Sequence, residues 1–328
     1  MKKLVVSVLS LLMALTVLPW MPQSVQAEEM MDLSLMLDWY PNANHVPIYV
    51  AIKEGYFEEE GLNLTINMPA EADDPIKLAG AGQTDIAVSY PAVLMQAVAE
   101  DIPAKAIGSL VQQRLDAVMY KKESGITTPK DLEGKKVGYS ATTISENIIE
   151  AMMEHDGASY DKAEMVNVGW DLIPALATDK VDALIGAYTN HELLMLQKEG
   201  YDVDYFDFTE FGVPDSDELI FVAGNDTIEA KKTALEAFML ALKKGYEKTI
   251  EDPEAAIETI FENEDNAYVL DKEIEVQSWE MLQDYMVSKG DFGSLIADDY
   301  VAFAKFLADK GSIAKELTAE ELIEDLSK

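Results

Sequence analysis

From Leu33 onward, segments that alternate apolar and polar residues take turns with segments whose apolar residues fall on one helical face, and this restricts the chain to a layered α/β architecture. Leu33-Ser34-Leu35-Met36-Leu37 has the period of a strand, residues 46–53 fit one face of a helix, and residues 62–68 return to period two. That is a β-α-β unit. The pattern predicts next a helix over 74–81, a strand over 85–90, a helix over 91–100 and strands over 104–110 and 116–120. A second series follows: strand 136–139, helix 144–155, strand 164–168, helix 172–177, strand 181–187 and helix 192–198. Residues 219–223 read as another strand, and 227–251, 253–262, 271–289, 298–309 and 318–327 as helices packing back on the first series.

At 328 residues the chain has room for two such layers. The expected organisation is two open α/β domains, the first formed by residues 28–120 and 222–328 and the second by 121–221. The chain crosses near 119–122 and returns near 221–224, a hinge of two strands. Ligands of open α/β sheets lie at the carboxyl ends of the strands, so a cleft between the two sheets is the expected site.

Residues 1–27 stand outside this pattern. Lys2-Lys3 precedes an apolar run over 4–18, and Val25-Gln26-Ala27 supplies small residues for cleavage, the makeup of a secretory signal peptide. The run is shorter than the ~20 residues of a spanning helix. Its removal takes two lysines and no acids, moving the net charge from −36 to −38. The expected location is the periplasm or the outer cell surface. The excess of 61 Asp and Glu over 25 Lys and Arg repels phosphate backbones, so no nucleic-acid partner is expected. Surface carboxylates that keep the protein hydrated account for that excess without reference to a ligand.

Zero cysteines remove disulfides, thiolate metal sites, cysteine nucleophiles and a lipid-bearing cysteine from consideration. His45, His155 and His191 are too few and scattered to suggest a metal. Gly80-Ala81-Gly82-Gln83-Thr84 lacks the Gly-Lys-Ser/Thr of a phosphate loop. A Ser-His-Asp set is spatial, and nothing local supports one. No catalytic residue, metal or cofactor is therefore assigned.

The stretch Leu37-Asp38-Trp39-Tyr40-Pro41-Asn42-Ala43-Asn44-His45, with Tyr49-Val50-Ala51 and residues 54–62 behind it, resembles the opening of the thiamine-pyrimidine-binding (ThiY/NMT1-like) family. Gly186-Ala187-Tyr188-Thr189-Asn190-His191-Glu192 resembles the same family's ligand loop in the second domain, and residues 131–139 its usual entry. The likeness runs from about Leu33 to Ala223. It implies a type II periplasmic-binding-protein-like fold and a monomeric, non-enzymatic protein that delivers an aminopyrimidine, such as formylaminopyrimidine or hydroxymethylpyrimidine, to an ABC permease. Related fungal pyrimidine synthases share the opening motif but need a Cys-rich iron motif, which this chain lacks.

These residues suit that ligand. A flat pyrimidine invites aromatic faces, and Trp39, Tyr40 and Tyr188 sit at strand-to-helix turns where side chains project into a cleft. Its edge carries an amine beside a ring nitrogen, which Glu192 could meet in a bidentate arrangement. Asn42, Asn44 and Asn190 offer amides that both donate and accept. Tyr90 before Pro91, Trp170 in Gly169-Trp170-Asp171, and His45 complete the candidates. Each has a plainer use: aromatic packing, Asn-rich turn chemistry, loop orientation by His45, a strand end at Tyr90, or a first-turn helix acid at Glu192. Ser216-Asp217-Glu218 stands where relatives are expected to carry an aromatic. A flavin or sulfonate on the same scaffold, or an exported pyrimidine-processing enzyme, remains open.

Overall fold

The computed structural model describes residues 30–70, 74–140, 144–264 and 269–328. The signal segment expected at 1–27 lies outside the described residues. Among the described residues ten strands form two five-stranded sheets. The first holds β1 (Met31–Met36), β2 (Leu62–Asn67), β3 (Ile86–Ser89), β4 (Ala104–Val111) and, late in the chain, β10 (Leu219–Gly224), in the order β2-β1-β3-β10-β4. The second holds β5 (Asp116–Lys121), β6 (Lys136–Tyr139), β7 (Glu164–Asn167), β8 (Ala183–Tyr188) and β9 (Val203–Phe206), in the order β7-β6-β8-β5-β9.

The helices are α1 (Val46–Lys53), α2 (Tyr56–Glu59), α3 (Asp74–Gly80), α4 (Pro91–Ala99), α5 (Ile144–His155), α6 (Leu172–Ala177) and α7 (Glu192–Lys198), followed by α8 (Asn225–Glu251), α9 (Pro253–Glu262), α10 (Lys272–Tyr285), α11 (Ala297–Asp309) and α12 (Ala319–Leu322). Neighbouring strands β1, β2 and β3 run parallel, as do β6, β7 and β8, while β10 and β5 enter their sheets antiparallel. Helical crossovers cover both faces of such sheets. Inner strands are accordingly buried throughout, as in Ile86-Ala87-Val88-Ser89 and Leu219-Ile220-Phe221-Val222-Ala223-Gly224.

Three readings need correction. β5, assigned above to the first domain, pairs with β8 and β9 in the second sheet. The chain therefore crosses over residues 112–115 and returns over 207–218, before β10 rather than within it. Strand β9 escaped notice because only its ends, Val203 and Phe206, are buried, which leaves no alternating pattern. The helix expected over 318–327 stops at Leu322. Beyond it Ile323 bridges Ala106 in parallel, and the N–H groups of Glu324 and Leu326 donate to the carbonyls of Ala106 and Ile107. The open edge of β4 satisfies that backbone better than another helical turn.

The late helices pack on the first lobe, α8 against α1 and α2, and α11 and α12 against α4. Its core includes Phe57, Phe221 and Phe238, with the Phe57 and Phe238 rings stacked at 5.5 Å. Each such side chain contributes about 1.5–3 kcal/mol by leaving water. Rigid lobes of this kind hold the loops at their facing strand ends in place.

Candidate functional site

The loops after β1, β3, β6 and β8 meet the two crossing segments around a cleft of about 960 Å³, open mouth included. All four strands belong to the parallel sets, so their carboxyl ends point at the same gap. Trp39, Asn42, Asn44, Tyr90, Tyr188 and Glu192 line it. Tyr40, His45, Trp170 and Asn190 do not border the cleft, and each has another occupation.

His45 is fully buried. Its Nδ1 accepts the Asn42 N–H at 3.2 Å, which leaves the proton on Nε2 to donate to Asp38 Oδ1 at 3.0 Å. The other oxygen of Asp38 accepts the Tyr90 hydroxyl at 3.0 Å. The local sequence requires this: Asn42 caps the 3-10 turn Ala43–His45, its Oδ1 accepting the Asn44 N–H, and swings the imidazole back under Asp38. His45 thus orients Asp38 and, through it, Tyr90. Burial first, and then the Asp38 charge and hydrogen bond, raise the Tyr90 phenol well above its usual range. It stays a donor.

Trp170 belongs to the second lobe but lies against two rings of the first, 3.9 Å from Trp39 and 5.6 Å from Tyr40 between centroids. Tyr40 in turn meets Trp39 edge-on at 6.5 Å. This trio is a contact between lobes at the rim, worth roughly 0.5–1.5 kcal/mol per pair beyond area. Asn190 Nδ2 likewise reaches across, donating to Asn44 Oδ1 at 3.0 Å and to Ser278 Oγ at 2.8 Å on α10.

Glu192 is buried at the start of α7, where its Oε2 accepts the Tyr188 N–H at 2.8 Å and its Oε1 meets His191 Nδ1 at 3.1 Å. His191 Nε2 faces Glu275 of α10 at 3.5 Å. Burial disfavours the His191 charge, but Glu192 and then Glu275 outweigh it and push its pKa up to about 10. Burial pushes Glu192 the other way, and the His191 imidazolium overcomes that to hold it below the usual carboxylate range. His191 is therefore a charged member of the lining.

The floor of the cleft is formed by Asp116 and Arg114, which the sequence did not single out, and by the Ser216-Asp217-Glu218 stretch that stands where relatives are expected to carry an aromatic. Glu218 Oε2 accepts the N–H groups of Leu115 and Asp116 at 2.6 and 2.8 Å, tying one crossing segment to the other. Asp116 Oδ1 accepts the N–H of Gly186 at 2.7 Å. Gly186 sits at φ +90°, a conformation that glycine reaches without strain. Burial, and then the Glu218 charge, raise Asp116 well above the usual carboxylate range, and burial also raises Glu218 against the opposing Arg114. Burial and the nearby Glu218 charge thus work against full ionisation of Asp116. Asp217, raised to about 7 by burial, accepts the Tyr300 hydroxyl at 2.9 Å. In all, Asp38, Asp116, Glu192, Asp217 and Glu218 face the cleft beside Arg114 and His191. Among the described residues no group of three or more His, Cys, Asp or Glu could hold a metal ion.

A family model described as NMT1/THI5 like matches residues 42–256. The formylaminopyrimidine-binding protein of Halalkalibacterium halodurans is 34% identical over 302 residues, covering 92% of each chain. The 4-amino-5-hydroxymethyl-2-methylpyrimidine phosphate synthase of Aspergillus parasiticus is 27% identical over 236 residues, covering 69% of each. Among solved structures, the alkanesulfonate-binding protein SsuA from Xanthomonas axonopodis pv. citri bound to MOPS superposes with a TM-score of 0.69 at 12% identity, over 91% of this chain and all of that one. At that identity it shows the shared fold, that of periplasmic binding proteins.

Proposed function

The chain belongs to the NMT1/THI5-like family, and from that premise we propose that it is the extracytoplasmic binding protein of an ABC importer for an aminopyrimidine thiamine precursor. It takes a compound such as formylaminopyrimidine or hydroxymethylpyrimidine between its lobes, without turnover, and presents the closed form to a membrane permease. The observation that carries this reading is the lining itself: aromatic rings of Trp39, Tyr90 and Tyr188 beside the buried Asp116–Glu218 pair and Glu192. A carboxyl that retains its proton donates to a ring nitrogen, while its ionised neighbour accepts from the exocyclic amine. An aminopyrimidine edge needs that combination.

The same lining disfavours a sulfonate, since the acidic side chains at the cleft, even with Asp116 holding its proton, outweigh Arg114 and His191 and oppose an added anion. A non-enzymatic role is supported by the absence of cysteine from the sequence, as the related synthases need a Cys-rich iron motif, and by the 34% identity to a binding protein over 92% of the chain.

The test is a calorimetric and thermal-shift panel on the mature protein with thiamine, the hydroxymethyl and formylamino pyrimidines, riboflavin and taurine. The pyrimidines should raise the melting temperature by mass action, and taurine and riboflavin should not. Trp39→Ala and Glu192→Gln should each weaken pyrimidine binding at least tenfold, about 1.4 kcal/mol. Taurine binding with no response to pyrimidines would overturn the reading, and pyrimidine consumption during titration would replace it with an enzymatic one.

A further inference from the structure

Glu275 is fully buried on α10, in the first lobe. One of its oxygens is used within that lobe: Oε2 accepts the Ala43 N–H at 2.8 Å and ties α10 to the 3-10 turn Ala43–His45. The other turns outward. Oε1 is buried, has no hydrogen-bond partner among the described residues, and faces His191 Nε2 of the second lobe at 3.5 Å. The opposite ring nitrogen of His191 meets Glu192 Oε1 at 3.1 Å, and both His191 and Glu192 line the cleft. A single imidazole therefore stands between two buried carboxylates, one from each lobe. From the 3-10 turn it is approached by the uncharged Asn44 and by His45, whose Nε2 is engaged with Asp38. Across the cleft stand Asp38, Arg114, Asp116, Asp217 and Glu218, with the Tyr90 and Tyr188 phenols, which burial keeps protonated.

With the ring charged, the order across the lobe boundary is negative, positive, negative. With the ring neutral, closing the lobes would seal two carboxylates on either side of an uncharged group, which is costly in a dry space. Opening removes Glu275 from the ring and leaves Glu192 beside it, so the closed form holds the proton more tightly. Burial opposes the imidazolium, but the two carboxylates outweigh it and hold the proton to about pH 10.

We infer that His191 is a positioning residue that couples contact at Glu192 to closure of the lobes, so that ligand binding takes up a proton at alkaline pH and weakens as that proton is lost. The inference rests on the reading that Glu192 meets a guest held between the lobes, and on no particular pyrimidine. Since the closed form has the higher pKa, the contribution to affinity is complete below the open-form value and disappears as pH rises through about 10.

The experiment is titration calorimetry with hydroxymethylpyrimidine on the wild type, His191→Gln and Glu275→Gln, across a pH range of about 7 to 10 and, near the top of it, in two buffers of different ionisation enthalpy. Wild-type affinity should fall at least about fivefold over that range, with net proton uptake on binding near its alkaline end. Both variants should lose at least half of the uptake and flatten the profile. Asp116, Asp217 and Glu218 are retained in each, so any linkage of theirs stays as a common background. If His191→Gln does not fold, Glu275→Gln decides, because it keeps His191 beside Glu192 and retains an acceptor for the Ala43 N–H. Uptake and profile unchanged in Glu275→Gln would overturn the coupling while leaving the aminopyrimidine reading intact. A wild type that binds no pyrimidine removes that reading alone, and small-angle scattering of the ligand-free protein then decides on the coupling. The radius of gyration should grow over the same pH range more in the wild type than in Glu275→Gln, and an equal response in the two would overturn it.

Discussion

His191 shows how far a single side chain depends on its neighbours. Pinched between Glu192 of its own lobe and Glu275 of α10, it holds its proton to about pH 10. Its folded pKa lies above the unfolded value, so its contribution is complete below about 6.5 and is lost as pH rises through about 10. His191→Gln leaves two buried carboxylates without their counter-charge, at a cost of about 3 kcal/mol or more. Melting curves from pH 6 to 11 should show the variant less stable at neutral pH and equal to wild type above pH 10. A gap that persists above pH 10 would assign the loss to packing instead. At this scale the sequence was legible where chemistry is local. Trp39, Tyr90, Tyr188 and Glu192 follow strand ends within motifs and do line the cleft. Asp116 and Glu218 meet across 102 positions, and no window along the chain brings them together. His45 and Asn190 were marked for the ligand because their types suit it, but the fold spends them on Asp38, Asn44 and Ser278.

Helices decide how the first lobe is braced and how the second closes on it. α8 passes so close to α1 that a methyl group at Gly245 would lie 2.4 Å from the Pro47 carbonyl oxygen and 2.7 Å from the Ala51 Cβ. Gly245→Ala should therefore destabilise the protein by about 1–3 kcal/mol through overpacking, despite alanine's better helix propensity. Urea unfolding would read this as a lower midpoint, and an unchanged or higher midpoint would show that the helices can slide apart. Between lobes, α7 and the turn before it face α10 through Asn190 to Ser278, His191 to Glu275, and Lys198 to Asp271 and Glu273. The boundaries of α5, α6, α7 and α9 could be read from periodicity, because each leaves one face exposed and buries the other. β9 and the segment after α12 could not, since both take their form from strand edges supplied by distant residues.

At the scale of the molecule, two lobes joined by two crossing segments lie closed on the cleft, held by the Trp39–Trp170 contact at the rim and the α7–α10 pairs behind it. Closure of this kind is a population that contacts can shift. Trp170→Ala combined with Asn190→Ala should move the protein toward an open form, seen as a larger radius of gyration in small-angle scattering that saturating pyrimidine reduces again. An unchanged radius would mean that the crossing segments, rather than these contacts, fix the angle. The sequence by itself determined the layers, the order of strand and helix, and the aromatic turns, because each follows from periodicity or composition within a few residues. Only the tertiary structure decided that β5 belongs to the second sheet, that a lone guanidinium and paired carboxyls form the floor, and that His191 carries charge. Those depend on groups tens to hundreds of positions apart sharing one dry space, where burial and proximity set protonation.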